Sequence, residues 1–234
     1  MNRKRDSIKV LFYVALFSLV CLYLAAFPYV VVGKTLSFLD WESRDQILLP
    51  LGFSLLLFVI VRLVAKLFGE KTGLILVVAI VSLFIVKNGE VYYSYLLGNI
   101  KQQALIEEFK SNDLIRSNTS FFVSDRTQEL NTLNRVYRFY EWTGLLRKTF
   151  GDQKRFAVNI ERYQNKGYYE KYTYDSGYNI EGHNLNFPSH VINISFQNED
   201  KKILRDIVWA YIFNKSDYLK LKHQLLKVKV TRVQ

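Results

Sequence analysis

The chain is poor in the residues that most often carry chemistry. Among 234 residues there is one cysteine, three histidines and three prolines. The single cysteine, Cys21, lies in a long apolar run, so the chain forms no intrachain disulfide and its polar part has no thiol chemistry. His183 and His190 are seven apart, and His223 stands alone in a helical pattern. Without cysteines, a metal site would need carboxylates from elsewhere, so neither a metal nor a cofactor is expected. No Gly-x-Ser-x-Gly elbow marks a serine nucleophile, and no glycine-rich phosphate loop is present. The glycines of the second half, Gly144, Gly151, Gly167, Gly177 and Gly182, are spread one per turn.

Charge is also missing from long stretches of the first half. Val10–Val32 has twenty-three uncharged residues, enough to cross a bilayer as one helix, with Pro28 near its far end where a break in the ladder is tolerated. The flank Asn2–Lys9 is basic, but the apolar run is too long for a cleaved signal and reads as a retained anchor. A second span covers about 47–67, with Arg62 and Lys66 near its end, positioned to snorkel. A tight turn, Phe68–Thr72, forces a hairpin into the third stretch. Gly73–Val86 is short alone, and continues through Lys87, Glu90 and the tyrosines Tyr92, Tyr93 and Tyr95. Lys87 and Glu90 are three apart and pair on one helix face. This stretch, about 73–95, reads as a third span ending in an interfacial tyrosine belt, with a re-entrant helix as the other reading.

The charge balance divides the chain into two parts. Residues 1–97 carry ten Lys/Arg and six Asp/Glu, and residues 98–234 carry twenty-two and fifteen, so the formal +11 separates into +4 and +7. The first part is a transmembrane region. The second, of 137 residues, is long enough for one packed core. Short flanks of +3 before the first span and +2 over Arg62–Thr72, the end of the second span and its turn, against −1 in the Gly33–Gln46 loop, place the N terminus in the cytoplasm and the C-terminal domain outside. The expected location is a bacterial cytoplasmic (inner) membrane.

Periodicity in the second part predicts a helix over Gly98–Asp113, a short strand over 119–124 and a helix within Arg126–Phe150 capped by Asp125, with Gln128 three residues on. The stripe of that helix would be Leu130, Leu133, Tyr137, Tyr140 and Gly144. Strands follow at Arg155–Arg162 and Tyr168–Tyr174 as an antiparallel hairpin or meander, then at Ser189–Phe196. Asn198 opens the strongest amphipathic helix, with Ile203, Leu204, Ile207, Val208, Tyr211 and Ile212 on its buried face. A helix from Ser216 to Leu226 and a C-terminal edge strand with alternating basic residues complete the order. The fold class is therefore three N-terminal transmembrane helices followed by a small extracytoplasmic α+β (mixed α/β) domain.

Two constellations stand out. The first is Asp125, Arg135, Arg138 and Glu141. Asp125 closes a strand, where α/β domains place polar ligands, and guanidinium groups beside aromatic rings clamp carboxylates, phosphates or sugar acids. Read plainly, the same residues are a helix cap and a surface ion pair. The second is a tyrosine ladder that includes Tyr168, Tyr172 and Tyr174, interleaved with Lys166 and Lys171. Tyrosine faces suit a protein, a glycan or a lipid interface, and equally plain cross-strand packing. Interspersed Glu161, Glu170, Asp175 and Glu181 break the positive field, and no nucleic acid is expected as a partner.

These features point to a non-catalytic membrane subunit that binds, senses or assembles with an envelope partner. Its expected partners are membrane lipid, further copies of itself or a partner membrane protein, and an anionic glycan or other polar ligand. The rivals are an envelope enzyme or accessory factor acting on surface polysaccharide or lipid-linked sugar, and a transporter or channel subunit.

Overall fold

The computed structural model describes residues 2–33, 49–160, 190–198 and 201–232. It resolves into two compact units, Met1–Glu90 and Val91–Gln234.

In the first unit, α1 (Asn2–Val31), α2 (Leu49–Phe68) and the start of α3 (Glu70–Ser111) are each long and apolar enough to cross a membrane. Their large side chains are mostly exposed, as lipid-facing helices require. Small residues set the close contacts between them. The Ser18 hydroxyl donates to the Gly52 carbonyl at 2.7 Å, and a Cβ at Gly52 would lie 2.6 Å from Leu22 Cγ. Gly69, at φ +98°, makes the one-residue link between α2 and α3 that only glycine adopts freely. Lys87 and Glu90 form the expected i,i+3 pair at 2.7 Å, well exposed on α3.

Helix α3 runs without a break from the apolar stretch into the second unit. There Leu97, Ile100, Ala104, Leu105 and Phe109 form a buried stripe in the main core. A short α4 (Asp113–Ser117), capped by the Asn112 side chain, leads into β1 (Ser120–Asp125). Then come α5 (Phe139–Phe150), β2 (Phe156–Asn159), β3 (His190–Phe196), α6 (Lys201–Phe213), α7 (Lys215–Leu221) and β4 (Leu226–Arg232). The sheet order is β2-β1-β3-β4, with β2 and β3 parallel to β1 and β4 antiparallel on β3. This is a mixed α/β domain. One sheet face, through Phe121, Val123, Ala157, Ile192 and Ile194, meets α3, Trp142 of α5 and Ile207 of α6. The other carries a smaller cluster of Phe122, Phe156, Val158 and Val191.

Several expectations need correction. The helix expected within Arg126–Phe150 begins only at Phe139, and the preceding residues form two 3-10 turns, Gln128–Leu130 and Thr132–Asn134. Leu133 and Asn134 take positive φ, which a continuing helix excludes. Gly144, placed on the buried stripe, is exposed. Strand β2 pairs in parallel with β1 and is buried on both faces, Asn159 included, as parallel strands generally are. Its expected hairpin partner, Tyr168–Tyr174, lies outside the described residues. On α6 the buried face contains Ile207 and Val208, but Ile212 is exposed. The helix expected over Ser216–Leu226 is shorter, Lys215–Leu221, and is capped by Asn214.

Candidate functional site

The C-terminal end of β1 is where this topology favours a ligand, because β2 follows on one side of β1 and β3, the next strand in the chain, lies on the other. Asp125 is the last residue of that strand. Its surroundings are built from three segments. Helix α3 supplies Ser94, Gly98 and Lys101, the residues flanking the first 3-10 turn supply Thr127 and Asn131, and the start of α5 supplies Glu141 and Trp142.

Gly98 lets α3 approach the second turn. A Cβ there would lie 2.6 Å from Thr132 Oγ1 and 3.3 Å from the Thr132 amide nitrogen. One turn earlier, the Ser94 hydroxyl accepts from the Leu133 amide at 2.6 Å. One turn later in the other direction stands Lys101, whose side chain is wholly buried. Its ammonium donates to Asp125 Oδ2 at 2.6 Å, Asn131 Oδ1 at 2.6 Å and the Thr127 carbonyl at 3.0 Å. Three protons thus meet three acceptors. The rings of Tyr137 and Trp142 lie 5.3 and 5.9 Å away from the nitrogen, within cation-π range.

Asp125 is equally occupied. Oδ1 accepts from the Thr127 amide at 2.9 Å and from its hydroxyl at 2.7 Å, an Asx turn instead of the expected helix cap. Oδ2 takes Lys101 together with a long 3.4 Å contact from Asn131 Nδ2. The same Asn131 amide also donates to the Arg135 carbonyl at 2.7 Å, closing the loop. Burial pushes the Lys101 pKa down to about 8, with the charge and hydrogen bond of Asp125 opposing the shift. A lysine near neutrality is chemically useful only where a substrate reaches it. Here the nitrogen is enclosed by its own partners.

Arg135 and Arg138 are not on one helix. Arg135 and Arg138 are both extended, and Arg138 is the N-cap of α5. The Arg135 fork closes on Glu141, Nη1 donating to Oε2 at 2.9 Å and Nη2 to Oε1 at 2.6 Å, both side chains mostly buried. Glu141 Oε2 also accepts from the Arg138 amide at 2.9 Å, which satisfies one orphan donor at the helix start. The structure therefore places Asp125, Arg135, Arg138 and Glu141 along and at the two ends of the segment that joins β1 to α5, with Glu141 on Arg135 and Lys101 on Asp125. Tyr168, Tyr172 and Tyr174 lie outside the described residues, as does His183.

Lys101 is the residue that sequence reasoning missed. Its signal was its position, four residues from both Leu97 and Leu105 and hence on their buried stripe. Among the described residues no group of three or more histidines, cysteines and carboxylates is placed to hold a metal ion. No protein-family model matches the chain, and neither curated proteins nor solved structures give a match to it.

Proposed function

We propose that this multi-pass membrane protein is a non-catalytic subunit whose mixed α/β domain binds, senses or assembles with an envelope partner. The observation that supports this most is the buried Lys101–Asp125 pair. It fills the strand end where an enzyme of this topology would seat a substrate, and every polar atom of the pair is met from within the chain. Asp125 then orders the loop instead of moving a proton. The loop around Arg138 and the Arg135–Glu141 pair offers a partner carboxylate or anionic glycan a firmly held surface, and Tyr168, Tyr172 and Tyr174 are kept as partner-binding candidates on their residue type alone. In the same reading the N terminus is cytoplasmic, the domain is extracytoplasmic and the host membrane is a bacterial inner membrane.

The experiment is a charge-neutral replacement of the pair. Asp125→Asn alone leaves a buried ammonium without its counter-charge and lowers abundance. Lys101→Met/Asp125→Asn removes both charges and keeps an acceptor for Thr127. In a deletion strain, the double variant is expected to regain abundance and to complement. Normal abundance without complementation would refute the binding reading and favour an enzyme that uses these groups. Arg138→Lys is expected to impair complementation at normal abundance, because it keeps charge and loses the planar fork.

A further inference from the structure

The buried face of α6 leaves an opposite face that is exposed among the described residues. Trp209, Ile212 and Phe213, at i, i+3 and i+4, are 66, 53 and 65% exposed, and the Trp209 and Phe213 rings touch at 4.3 Å between centroids. Three large apolar side chains this exposed on one helix face mark an interaction site.

Two features of the same unit say what meets it. The first is height. Tyr211, on the neighbouring flank of α6, accepts at its hydroxyl from Asn99 Nδ2 at 2.8 Å. Asn99 is four residues beyond Tyr95, about 6 Å along α3. Tyr92, Tyr93 and Tyr95 are exposed at 70, 45 and 59%, directly after the apolar stretch, where tyrosines mark the headgroup layer. The C-terminal end of α6 is thus tied to the level of that belt. The second is charge. Lys202 and Arg205 continue the Trp209 stripe toward the helix start, and Lys215 follows Phe213. Arg205 pairs only loosely with Asp206, at 3.7 Å. Aromatic and aliphatic side chains with lysine and arginine beside them are the composition of an interfacial helix on anionic lipid.

We infer that the Trp209–Ile212–Phe213 face of α6 inserts into the headgroup and upper acyl region of the bilayer, so that the α/β domain is held to the membrane by its own helix as well as by α3. The apolar trio enters the lipid, and Arg205 and Lys215 meet the phosphates.

The test uses the full chain with Cys21→Ser, reconstituted in nanodiscs of phosphatidylcholine and phosphatidylglycerol. A nitroxide is attached at Phe213→Cys and, separately, at Ser111→Cys, about 18 Å farther along α3 than Asn99. Collision rates are measured with oxygen, which concentrates in lipid, and with a water-soluble nickel chelate. The expected result is an oxygen-to-nickel collision ratio several-fold higher at 213 than at 111. High collision with both reagents at 213 would place the face in water and overturn the proposal. Low collision with both would mean a protein cover, such as a second copy, and would also overturn it. So would a lipid signature at both positions, since the contact would not then belong to this face. Trp209→Cys reports on the same face if Phe213→Cys does not fold.

Discussion

Replacing Lys101 by methionine tests the buried pair directly. Methionine keeps most of the side-chain volume, so the cavity contribution is small, and what is lost is the charge with its three hydrogen bonds. Asp125 Oδ2 is left with only the 3.4 Å contact from Asn131, and Asn131 Oδ1 loses its donor, whereas the Thr127 carbonyl keeps the Leu130 amide at 3.1 Å. Breaking a buried pair from one side costs about 3–5 kcal/mol, more than the roughly 1 kcal/mol net value of an ordinary hydrogen bond, because a carboxylate stays buried without its counter-charge. Against a domain stability of about 5–15 kcal/mol this is a large fraction. With a urea slope of about 2 kcal/mol/M, the midpoint falls by about 2 M. The assay is urea unfolding at pH 7 of the full chain in detergent, followed by Trp142 fluorescence with Trp41 and Trp209 replaced by phenylalanine. Trp142 is buried beside the ammonium and reports locally. Adding Asp125→Asn should recover part of the loss. A midpoint unchanged in Lys101→Met, or strictly additive losses in the double variant, would refute the account of the pair.

Other expectations follow from the same geometry. Gly98→Ala should destabilise despite alanine's better helix propensity, because its Cβ meets Thr132, whereas Gly144→Ala, with open space around it, should stabilise by about 0.5–1 kcal/mol; paired thermal melts decide this. The Lys101 pKa of about 8 lies below the 10.5 of the unfolded chain, so the unfolded state holds the extra proton between these values. The penalty of burying the ammonium is therefore fully present below pH 8 and relieved as pH rises toward 10.5. Melting temperatures of the wild type should rise relative to Lys101→Met across that window, and a fall would reverse the assigned shift. For topology, Ser37→Cys and Ser176→Cys in a Cys21→Ser background should both react with a membrane-impermeant thiol reagent in spheroplasts. Reaction of both only after lysis would invert the orientation, and reaction of Ser37→Cys alone would remove the third span.

The sequence was most readable where a single physical demand governs a segment. Strongly apolar runs of bilayer length have one outcome, and among the described residues three helices qualify. The α6 stripe around Ile207 and the alternation in β3 were legible for the same reason: each repeats one period long enough to separate a buried from an exposed side. Segment 126–138 was not. Leu130, Leu133 and Tyr137 have helical spacing, yet their conformation is imposed from α3, about thirty residues away, by Ser94 on the Leu133 amide, Gly98 against Thr132 and Lys101 on Asn131. Local periodicity does not contain those contacts. The same holds for Arg135, whose carboxylate partner six residues on meets it only because the intervening chain is extended. The basic residue on an apolar stripe, Lys101, was the one visible sign that an acid had to be buried nearby.

The central claim is that this chain works by binding and assembly within the membrane. Native mass spectrometry of the full chain, extracted from its own membranes in mild detergent, tests it most directly. The account predicts a stoichiometric complex, either of several copies or with a partner membrane protein. A single chain in every mild detergent, accompanied by turnover of an added lipid-linked sugar, would contradict it.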